Sequence, residues 1–288
     1  MSVTRLCCLV EQRYLRQRMP AAVIEALRAQ SFGVDVLASG GGRFDPRRGL
    51  FHDADGGATD LNRYEALIAR GRDALTLAML AYGEAAGITT VNTHRATEAV
   101  RNKAHLAIAL ERAGIPGAPT VLAADVSDLG ALSATWFPVI LKATYGDNSQ
   151  GLRLVRRPDD LEDVHWGDAL VLAQHYIPNS GYDLKLYVCG DRVWATRKPS
   201  PFNGKHDAPV QPLEPDAGMR ALALRCGEVF GLEIYGVDAL ETADGPAVVE
   251  VNEFPNFTGV RDAPSQIADY VRGRLAGRAG AGTAARKA

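Results

Sequence analysis

Three oxygen-bearing side chains near the end of the chain have the types and spacing of a metal site. Asp238 closes one apolar segment, and Glu250 and Asn252 stand two residues apart in the next. Because side chains alternate across a strand, Glu250 and Asn252 are expected to point to the same side. Hard cations such as Mg²⁺ take oxygen ligands and usually share one or two carboxylates with substrate phosphates. The trio predicts a site for a metal–nucleotide complex, with a solvated strand face as the simpler alternative.

A second segment combines an apolar strand, a lysine and a glycine-flanked loop. Lys142 ends the strand, and the loop from Gly146 to Gly151 leads into an alternating pattern. In a Walker or Rossmann phosphate loop the glycines lead into a helix instead. The pattern predicts a flap between two strands that can lie over a triphosphate, with Lys142 as a point charge beneath it. Considered alone, Lys142 is equally well explained as a lysine that ends a strand.

Two further polar segments lie at strand ends. The segment Gln174–Ile177 closes an apolar strand and could offer backbone groups to the edge of an adenine. Gly190-Asp191 predicts a two-residue hairpin, in which Asp183 lies opposite Lys198 and Arg197 falls on the other face. An ordinary cross-strand ion pair explains Asp183 and Lys198 as well. A β-bulge would change the register, so whether Arg197 or Lys198 enters the site stays open.

The elements that must position these residues begin with alternating strands and helices. Strands are predicted at residues 5–10, 34–37, 64–69 and 89–92, with helices at 19–29 and 74–86. This βαβ order predicts an α/β fold with a parallel sheet. Residues 44–60 read as a polar loop. Later helices are predicted at 96–113, 125–132 and 217–230, and later strands at 137–143, 152–155, 171–177, 184–188 and 192–196.

Composition narrows the classes of protein that fit. The chain has 288 residues, a formal net charge of −2 and 47% hydrophobic residues. Its length predicts about two domains. It has no basic excess that would indicate nucleic acid as a partner and no apolar run long enough to cross a membrane. The four cysteines lack metal-binding spacing and are expected to be reduced structural thiols. We therefore expect a cytoplasmic protein with no nucleic-acid or membrane partner.

The order of the motifs resembles that of ATP-grasp enzymes over roughly residues 92–270. The shared order is a lysine on a helix, a lysine before a flap, a hinge, an Asp-x-Lys hairpin, and then Asp and Glu-x-Asn. The preceding segment is similar to the amino-terminal domain that is usual in that superfamily. The resemblance implies a βαβ domain at residues 1–95 and an ATP-grasp domain of two α+β subdomains, at about 96–172 and 173–272. The small, basic residues 273–288 are expected to form a disordered tail.

The resemblance also implies cofactors and roles. ATP and Mg²⁺ are the implied cofactors, with Mn²⁺ as an alternative metal. The metal would be held by Asp238, Glu250 and Asn252, and the catalytic cations would be Lys142, Lys185 and Arg197. The residues implied to bind the nucleotide lie along the ATP-grasp segment: Lys103, Lys142, Gly146, Asn148, Ser149, Gly151, Gln174, His175, Tyr176, Ile177 and Asp183.

Two branches of the superfamily are candidates. The glutamate-adding and glutathione-synthetase-like ligases are similar in Val91-Asn92 before a helix, in Lys103 and in the flap. Their Asp-Ile-Arg triplet is Asp183-Leu184-Lys185 here. The inositol polyphosphate kinases are similar in the run Arg197-Lys198-Pro199-Ser200, although their flap usually carries a histidine where Gln150 stands.

The leading hypothesis is an ADP-forming ligase that joins a carboxylate to an amine through an acylphosphate. Its partners would be small-molecule or peptide acids and amines, with Asn256 and Thr258 in the acceptor pocket and a homodimer as the candidate assembly. The alternatives are an ATP-grasp kinase that acts on a small polyol or inositol phosphate, and a non-catalytic nucleotide-binding regulator.

Overall fold

The structure, a computed structural model, describes residues 3–146, 152–200 and 209–285. The helices within these ranges are α1 (Arg18–Ala29), α2 (Ala74–Ala85), α3 (His94–Arg101), α4 (Lys103–Arg112), α5 (Ala217–Phe230) and α6 (Ala263–Ala285). The strands are β1 (Arg5–Val10), β2 (Gly33–Ala38), β3 (Arg43–Asp45), β4 (Leu50–His52), β5 (Ala58–Asp60), β6 (Ala66–Arg70), β7 (Thr89–Val91), β8 (Thr120–Ala123), β9 (Val139–Ala143), β10 (Arg153–Val155), β11 (Val171–His175), β12 (Tyr182–Cys189), β13 (Arg192–Pro199), β14 (Gln211–Leu213), β15 (Ile234–Thr242) and β16 (Gly245–Glu253). None of the helices in these ranges has the length and apolarity needed to cross a membrane.

The amino-terminal part forms the predicted parallel sheet, in the strand order β2-β1-β6-β7. The polar residues 44–60, which we expected to form a loop, instead contribute to a small antiparallel sheet of β3, β4 and β5. Phe51 of β4 is buried against the larger sheet's core. Each of these strands is three residues long, which is too short for an alternating pattern to be recognised in the sequence.

Two antiparallel sheets follow, and they carry most of the candidate site. The first has four strands in the order β10-β9-β11-β8, and the second has five in the order β14-β13-β12-β15-β16. Side chains of both sheets line one cleft, which places β9 and β11 across from β12, β15 and β16. The predicted flap leaves the end of β9, where the description stops at Gly146.

The single helix predicted at residues 96–113 is in fact two helices that meet at Asn102. The backbone of Asn102 leaves the helical region (φ −83°, ψ 103°), and its side chain caps α4 by accepting from the N–H groups of Ala104 and His105, each at 3.1 Å. Asparagine favours such caps because its side chain competes for backbone hydrogen bonds. The break makes Lys103 the first residue of α4, where its N–H donates to the carbonyl of Thr144 at the end of β9 (3.0 Å).

The carboxyl-terminal helix also differs from the prediction, because α6 continues to Ala285 where a disordered tail was expected from residue 273. Its alanines favour helix, and two contacts anchor it. Arg274 pairs with Glu233 (Nε–Oε2 2.8 Å), and Leu275 packs on the core. The buried residues of α6 pack with those of α1 and β1, so the end of the chain completes the core of the amino-terminal sheet.

Asn92 joins the amino-terminal sheet to the five-stranded sheet. It is 2% exposed and has the left-handed φ of 57°. Its Oδ1 accepts from the N–H groups of Glu233 (2.7 Å) and Ile234 (3.0 Å), and its Nδ2 donates to the carbonyl of Ile234 (2.6 Å). Asparagine tolerates the left-handed region better than most residues. One side chain therefore satisfies three backbone groups at the start of β15, two of them in buried hydrogen bonds.

We expect Asn92→Ala to lower the free energy of unfolding by more than about 3 kcal/mol, because each buried group left without a partner costs about 1–3 kcal/mol. Asn92→Gly should cost roughly 1 kcal/mol less, since glycine adopts a positive φ without strain. Urea unfolding of the three proteins measures both differences. If both variants stay within roughly 0.5 kcal/mol of the wild type, the size expected of an ordinary surface change, this junction does not carry the stability assigned to it.

Candidate active site

The cleft between the two antiparallel sheets brings together most of the residues that the sequence predicted. Asn252 lies in an adjoining cavity, Arg197 lies elsewhere, and Asn148, Ser149 and Gly151 fall outside the described residues. The predicted residues that line the cleft are Lys103, Lys142, Gly146, Gln174, His175, Tyr176, Ile177, Asp183, Lys185, Asp238 and Glu250.

The predicted metal trio meets on two neighbouring strands. Asp238 of β15 pairs directly with Glu250 of β16, and a β-bulge follows, so that Val249 has no partner residue on β15. The Nδ2 atom of Asn252 lies 3.5 Å from Oδ2 of Asp238. Directly opposite residues of an antiparallel pair share a face, as do residues two apart on one strand, so both carboxylates and the amide point to the same side of the β15–β16 pair.

Each carboxylate of the trio forms an ion pair with a lysine. Asp238 pairs with Lys185 of the neighbouring strand, and Glu250 pairs with Lys103 from α4. Burial alone would raise the pKa of the Glu250 carboxyl, but Lys103 and Lys142 hold it below its usual value. Burial would likewise lower the pKa of Lys185, but Asp238 holds it above the usual lysine value. Glu250 and Lys185 are therefore both charged at neutral pH.

Lys142 differs from Lys185 in its pKa. It lies on β9, and its Nζ donates to Oε1 of Gln174 on the adjacent β11. Burial lowers the pKa of Lys142 to about 8, against the opposing effect of Glu250. Lysine readily changes its pKa on burial because its ammonium is strongly hydrated. At neutral pH Lys142 is still mostly protonated, and it loses its charge just above that range.

The donor set fits Mg²⁺ bound together with phosphate. Asp238, Glu250 and Asn252 offer oxygen atoms only, which suits a hard cation and excludes a thiolate or imidazole site. The trio contains two acids and an amide. Over residues 3–146, 152–200 and 209–285, there is no other kind of candidate built from three or more His, Cys, Asp or Glu side chains. Two carboxylates and an amide leave most of an octahedral shell to other oxygens, as Mg²⁺ shared with a nucleotide requires.

The hairpin register is as predicted, and it decides which cation faces the cleft. Asp183 pairs with Lys198, and Leu184 pairs with Arg197. Lys198 lines the cleft, whereas Arg197 forms an ion pair with Glu241 and lies 4.8 Å above the ring centroid of Tyr182. The prediction of Arg197 as a catalytic cation is therefore wrong, because alternation along β13 turns it away from the site.

In the segment Gln174–Ile177, two backbone groups are already paired. The N–H of His175 donates to the carbonyl of Pro119 (2.8 Å), and the N–H of Tyr176 donates to the carbonyl of Pro138 (2.9 Å). The Nδ1 atom of His175 lies 2.8 Å from the carbonyl oxygen of Trp136. Across the cleft, the Oδ1 atom of Asp183 is buried and lacks a hydrogen-bond partner within the described part of the chain. A buried acceptor without a partner in the wall of the cleft suits a hydroxyl donor of a ligand.

The sequence missed two arginines that join the site from the amino-terminal sheet. Arg70 and Arg72 stand at and just after the end of β6, and they line a cavity of about 270 Å³ beside the metal trio. Asn256 and Thr258, predicted for an acceptor pocket, line the same cavity. Ligands of open parallel sheets bind beyond the carboxyl ends of the strands, so the position of Arg70-Gly71-Arg72 was a signal that the sequence contained.

The model of the RimK-like ATP-grasp domain matches residues 100–271 of this chain. The chain belongs to the RimK-like ATP-grasp family. It is 30% identical over 235 residues to the "Probable alpha-L-glutamate ligase" of Serratia proteamaculans (strain 568), a match that covers 74% of this chain and 78% of the relative.

Solved structures share the fold of this chain. The RimK domain protein ATP-grasp from Sphaerobacter thermophilus DSM 20745 has a TM-score of 0.74 at 24% identity, over 93% of this chain and 99% of that one. The ATP-grasp ligase PsnB complexed with minimal precursor, Mg and ADP has a TM-score of 0.69 at 19% identity, over 93% of this chain and 98% of that one. The predicted fold class and the resemblance to ATP-grasp ligases are confirmed.

In this RimK-like protein the low pKa of Lys142 predicts how ATP affinity depends on pH. Since the group is a cation only below a pKa of about 8, the dissociation constant of ATP should rise about tenfold between pH 7 and pH 9. Isothermal titration at fixed Mg²⁺ measures it. Lys142→Met should bind ATP more weakly at pH 7 and lose most of this dependence. A full tenfold change retained by Lys142→Met would assign the titration to another group, such as Lys198, whose pKa is also lowered by burial.

Proposed function

We propose that this chain is an ATP- and Mg²⁺-dependent, ADP-forming ligase that activates a carboxylate as an acylphosphate and joins it to an amine. The observation that carries the proposal is the convergence of Lys103, Lys142 and Lys185 on two carboxylates in a single cleft between two sheets. Membership of the RimK-like family, whose relatives include proteins named glutamate ligases, supports the same chemistry.

The nucleotide is proposed to lie along the cleft. Gln174 to Ile177 would hold the adenine, with the N–H of Ile177 as a donor, since those of His175 and Tyr176 already donate to the protein. Asp183 would accept a hydrogen bond from a ribose hydroxyl. Lys103 and Lys142 would contact the phosphates, and the predicted flap residues Gly146, Asn148, Ser149 and Gly151 would cover them.

Asp238, Glu250 and Asn252 would hold Mg²⁺, which neutralises charge on the phosphates as the terminal phosphoryl group is transferred. Preorganised cations supply the rest of the electrostatic stabilisation. Lys185 and Lys198 stand beside the trio on the same face of the hairpin and would stabilise the charge that develops on the transferred group. Mn²⁺ in place of Mg²⁺ stays a prediction.

The acid substrate is proposed to bind in the cavity of about 270 Å³ next to the trio. Its lining includes the cationic side chains of Arg70 and Lys198, together with the amide of Asn256 and the hydroxyl of Thr258. The guanidinium of Arg70 stacks 4.0 Å above the ring centroid of Tyr14 and donates to Gln17 (3.2 Å) and Asn256 (3.3 Å). A planar guanidinium held in this way suits a carboxylate, and amino acids or peptide carboxylates are the proposed substrate class.

All four cysteines (Cys7, Cys8, Cys189 and Cys226) are buried and free. Burial is the main cause that raises the pKa of the Cys8, Cys189 and Cys226 thiols to about 12. Thiols of this kind are unreactive and structural, which supports the proposed cytoplasmic location. The predicted homodimer stays a proposal that size-exclusion chromatography with light scattering would test.

The proposed function is tested first by thermal unfolding without ligand, with ATP and a chelator, and with ATP and Mg²⁺. Saturation at about 100 times the dissociation constant stabilises a protein by roughly 2.7 kcal/mol, so ATP with Mg²⁺ should raise the Tm by several degrees. Candidate acids and amines are then screened for release of inorganic phosphate together with an amide product. A phosphorylated acceptor without free phosphate would instead indicate a kinase, and no shift at millimolar Mg²⁺–ATP would refute the nucleotide site.

Glu250→Gln should abolish the Mg²⁺-dependent part of the Tm shift and lower turnover by a factor of about 100 or more, as the loss of a transition-state contact does. Glu241→Gln is a matched control, since Glu241 is similarly exposed (30% against 28% for Glu250) and also pairs with one cation, on the opposite face. It should retain both the shift and the turnover. Equal losses in the two variants would contradict the metal assignment.

A further inference from the structure

Arg72 lies outside the ATP-grasp segment, and its side chain contacts β16, the strand that carries Glu250 and Asn252. It follows the end of β6, where its backbone N–H donates to Oε2 of Glu11 (2.9 Å). The N–H of Glu11 in turn donates to the carbonyl of Arg70 (2.9 Å). These bonds attach residues 70–72 to Glu11, the residue after β1, so the amino-terminal sheet determines the position of Arg72.

The guanidinium of Arg72 contacts two consecutive residues of β16. Its Nε donates to Oε1 of Glu253 at 2.7 Å, and one terminal nitrogen donates to Oδ1 of Asn252 at 2.8 Å. The side chains of Arg72 and Glu253 are 11% and 4% exposed. A buried pair of this kind needs good geometry to offset its desolvation, and the bidentate contact gives the end of β16 a fixed position relative to the amino-terminal sheet.

The contact also orients the amide of Asn252. A guanidinium only donates hydrogen bonds, so the oxygen of the amide faces Arg72 and its nitrogen faces Asp238 (3.5 Å). An amide oxygen has two lone pairs. One accepts from Arg72, and a cation beside Asp238 and Glu250 would use the other, in place of the long Nδ2–Asp238 contact.

We propose that Arg72 is a positioning residue for Mg²⁺: from the amino-terminal sheet it fixes the Asn252 amide, whose oxygen Mg²⁺ would share with it. The proposal rests on the proposed function, because it assumes that the trio binds Mg²⁺ with ATP. Partners that orient metal ligands commonly change metal affinity by about 10- to 100-fold when they are removed. Mg²⁺ affinity should therefore depend on a residue that touches neither the metal nor the nucleotide.

The test measures the Tm at saturating ATP over a series of Mg²⁺ concentrations. The Mg²⁺ concentration that gives half of the Mg²⁺-dependent rise in Tm is the Mg²⁺ midpoint. In Arg72→Lys, which keeps a positive partner for Glu253 but loses the forked geometry, this concentration should rise about tenfold or more. Arg63→Lys is the control, because Arg63 also forms an ion pair, with Asp35 of β2 (2.8 Å), away from the cleft. It should leave the Mg²⁺ requirement unchanged.

A double-mutant cycle separates positioning from general destabilisation. Asn252→Ala should raise the Mg²⁺ requirement, and adding Arg72→Lys to it should raise that requirement no further, since coupled residues are not additive. A purely structural role would lower the Tm without ligand and leave the Mg²⁺ midpoint unchanged. If Arg72→Lys does not fold, the pair Arg72→Met and Glu253→Met removes both buried charges, an exchange that is often tolerated, and should raise the requirement equally.

The outcomes are distinct. A Mg²⁺ midpoint that changes less than twofold in the Arg72 variants, or fully additive effects in the cycle, overturns the positioning role. A wild-type protein with no Mg²⁺-dependent shift overturns the proposed function itself, and this inference with it. A wild-type shift with a raised midpoint in the Arg72 variants, together with the unchanged control, supports both.

Discussion

The constraint on which the site depends is charge balance inside a cleft with little access to water. Asp238 and Glu250 are buried enough that each needs a cation, and Lys185 and Lys103 provide them. Removing one partner of such a pair leaves an uncompensated buried charge, which is far more costly than the loss of a surface ion pair. In the proposed complex, Mg²⁺ would pair with the carboxylates and the lysines would pair with phosphate, so that no buried charge would be left without a partner.

The break between α3 and α4 serves this balance. It makes Lys103 the first residue of α4, so that its side chain reaches Glu250 across the cleft. A regular helix through residue 102 would direct Lys103 elsewhere, because a helix fixes the direction of every side chain. Asp238 and Glu250 need no such irregularity, since they are paired directly across β15 and β16 and so face the same cavity.

The amino-terminal sheet is part of the site as well as its neighbour. Its core is shared with α6 and with Phe254 and Phe257, which directly follow the metal strand. Asn92 and Arg72 then connect it to the same end of the antiparallel β15–β16 pair, one at Ile234 and the other at Asn252. The position of Asn252 therefore depends on the packing of the amino-terminal sheet, although that sheet contributes few residues to the nucleotide cleft.

The sequence by itself determined the elements with strong local patterns: the βαβ order, the two-residue hairpin with its register, and the chemical types of the metal trio. These follow from side-chain alternation and turn chemistry, which act over a few residues. Only the tertiary structure decided the roles of Arg72 and Arg197. Arg72 stands 180 residues from Asn252 in the sequence. The hydrophobic periodicity of a segment does not indicate which distant residue it contacts. Arg197 was misassigned because motif order does not say which face of a strand meets the cleft, and that depends on how the two sheets pack.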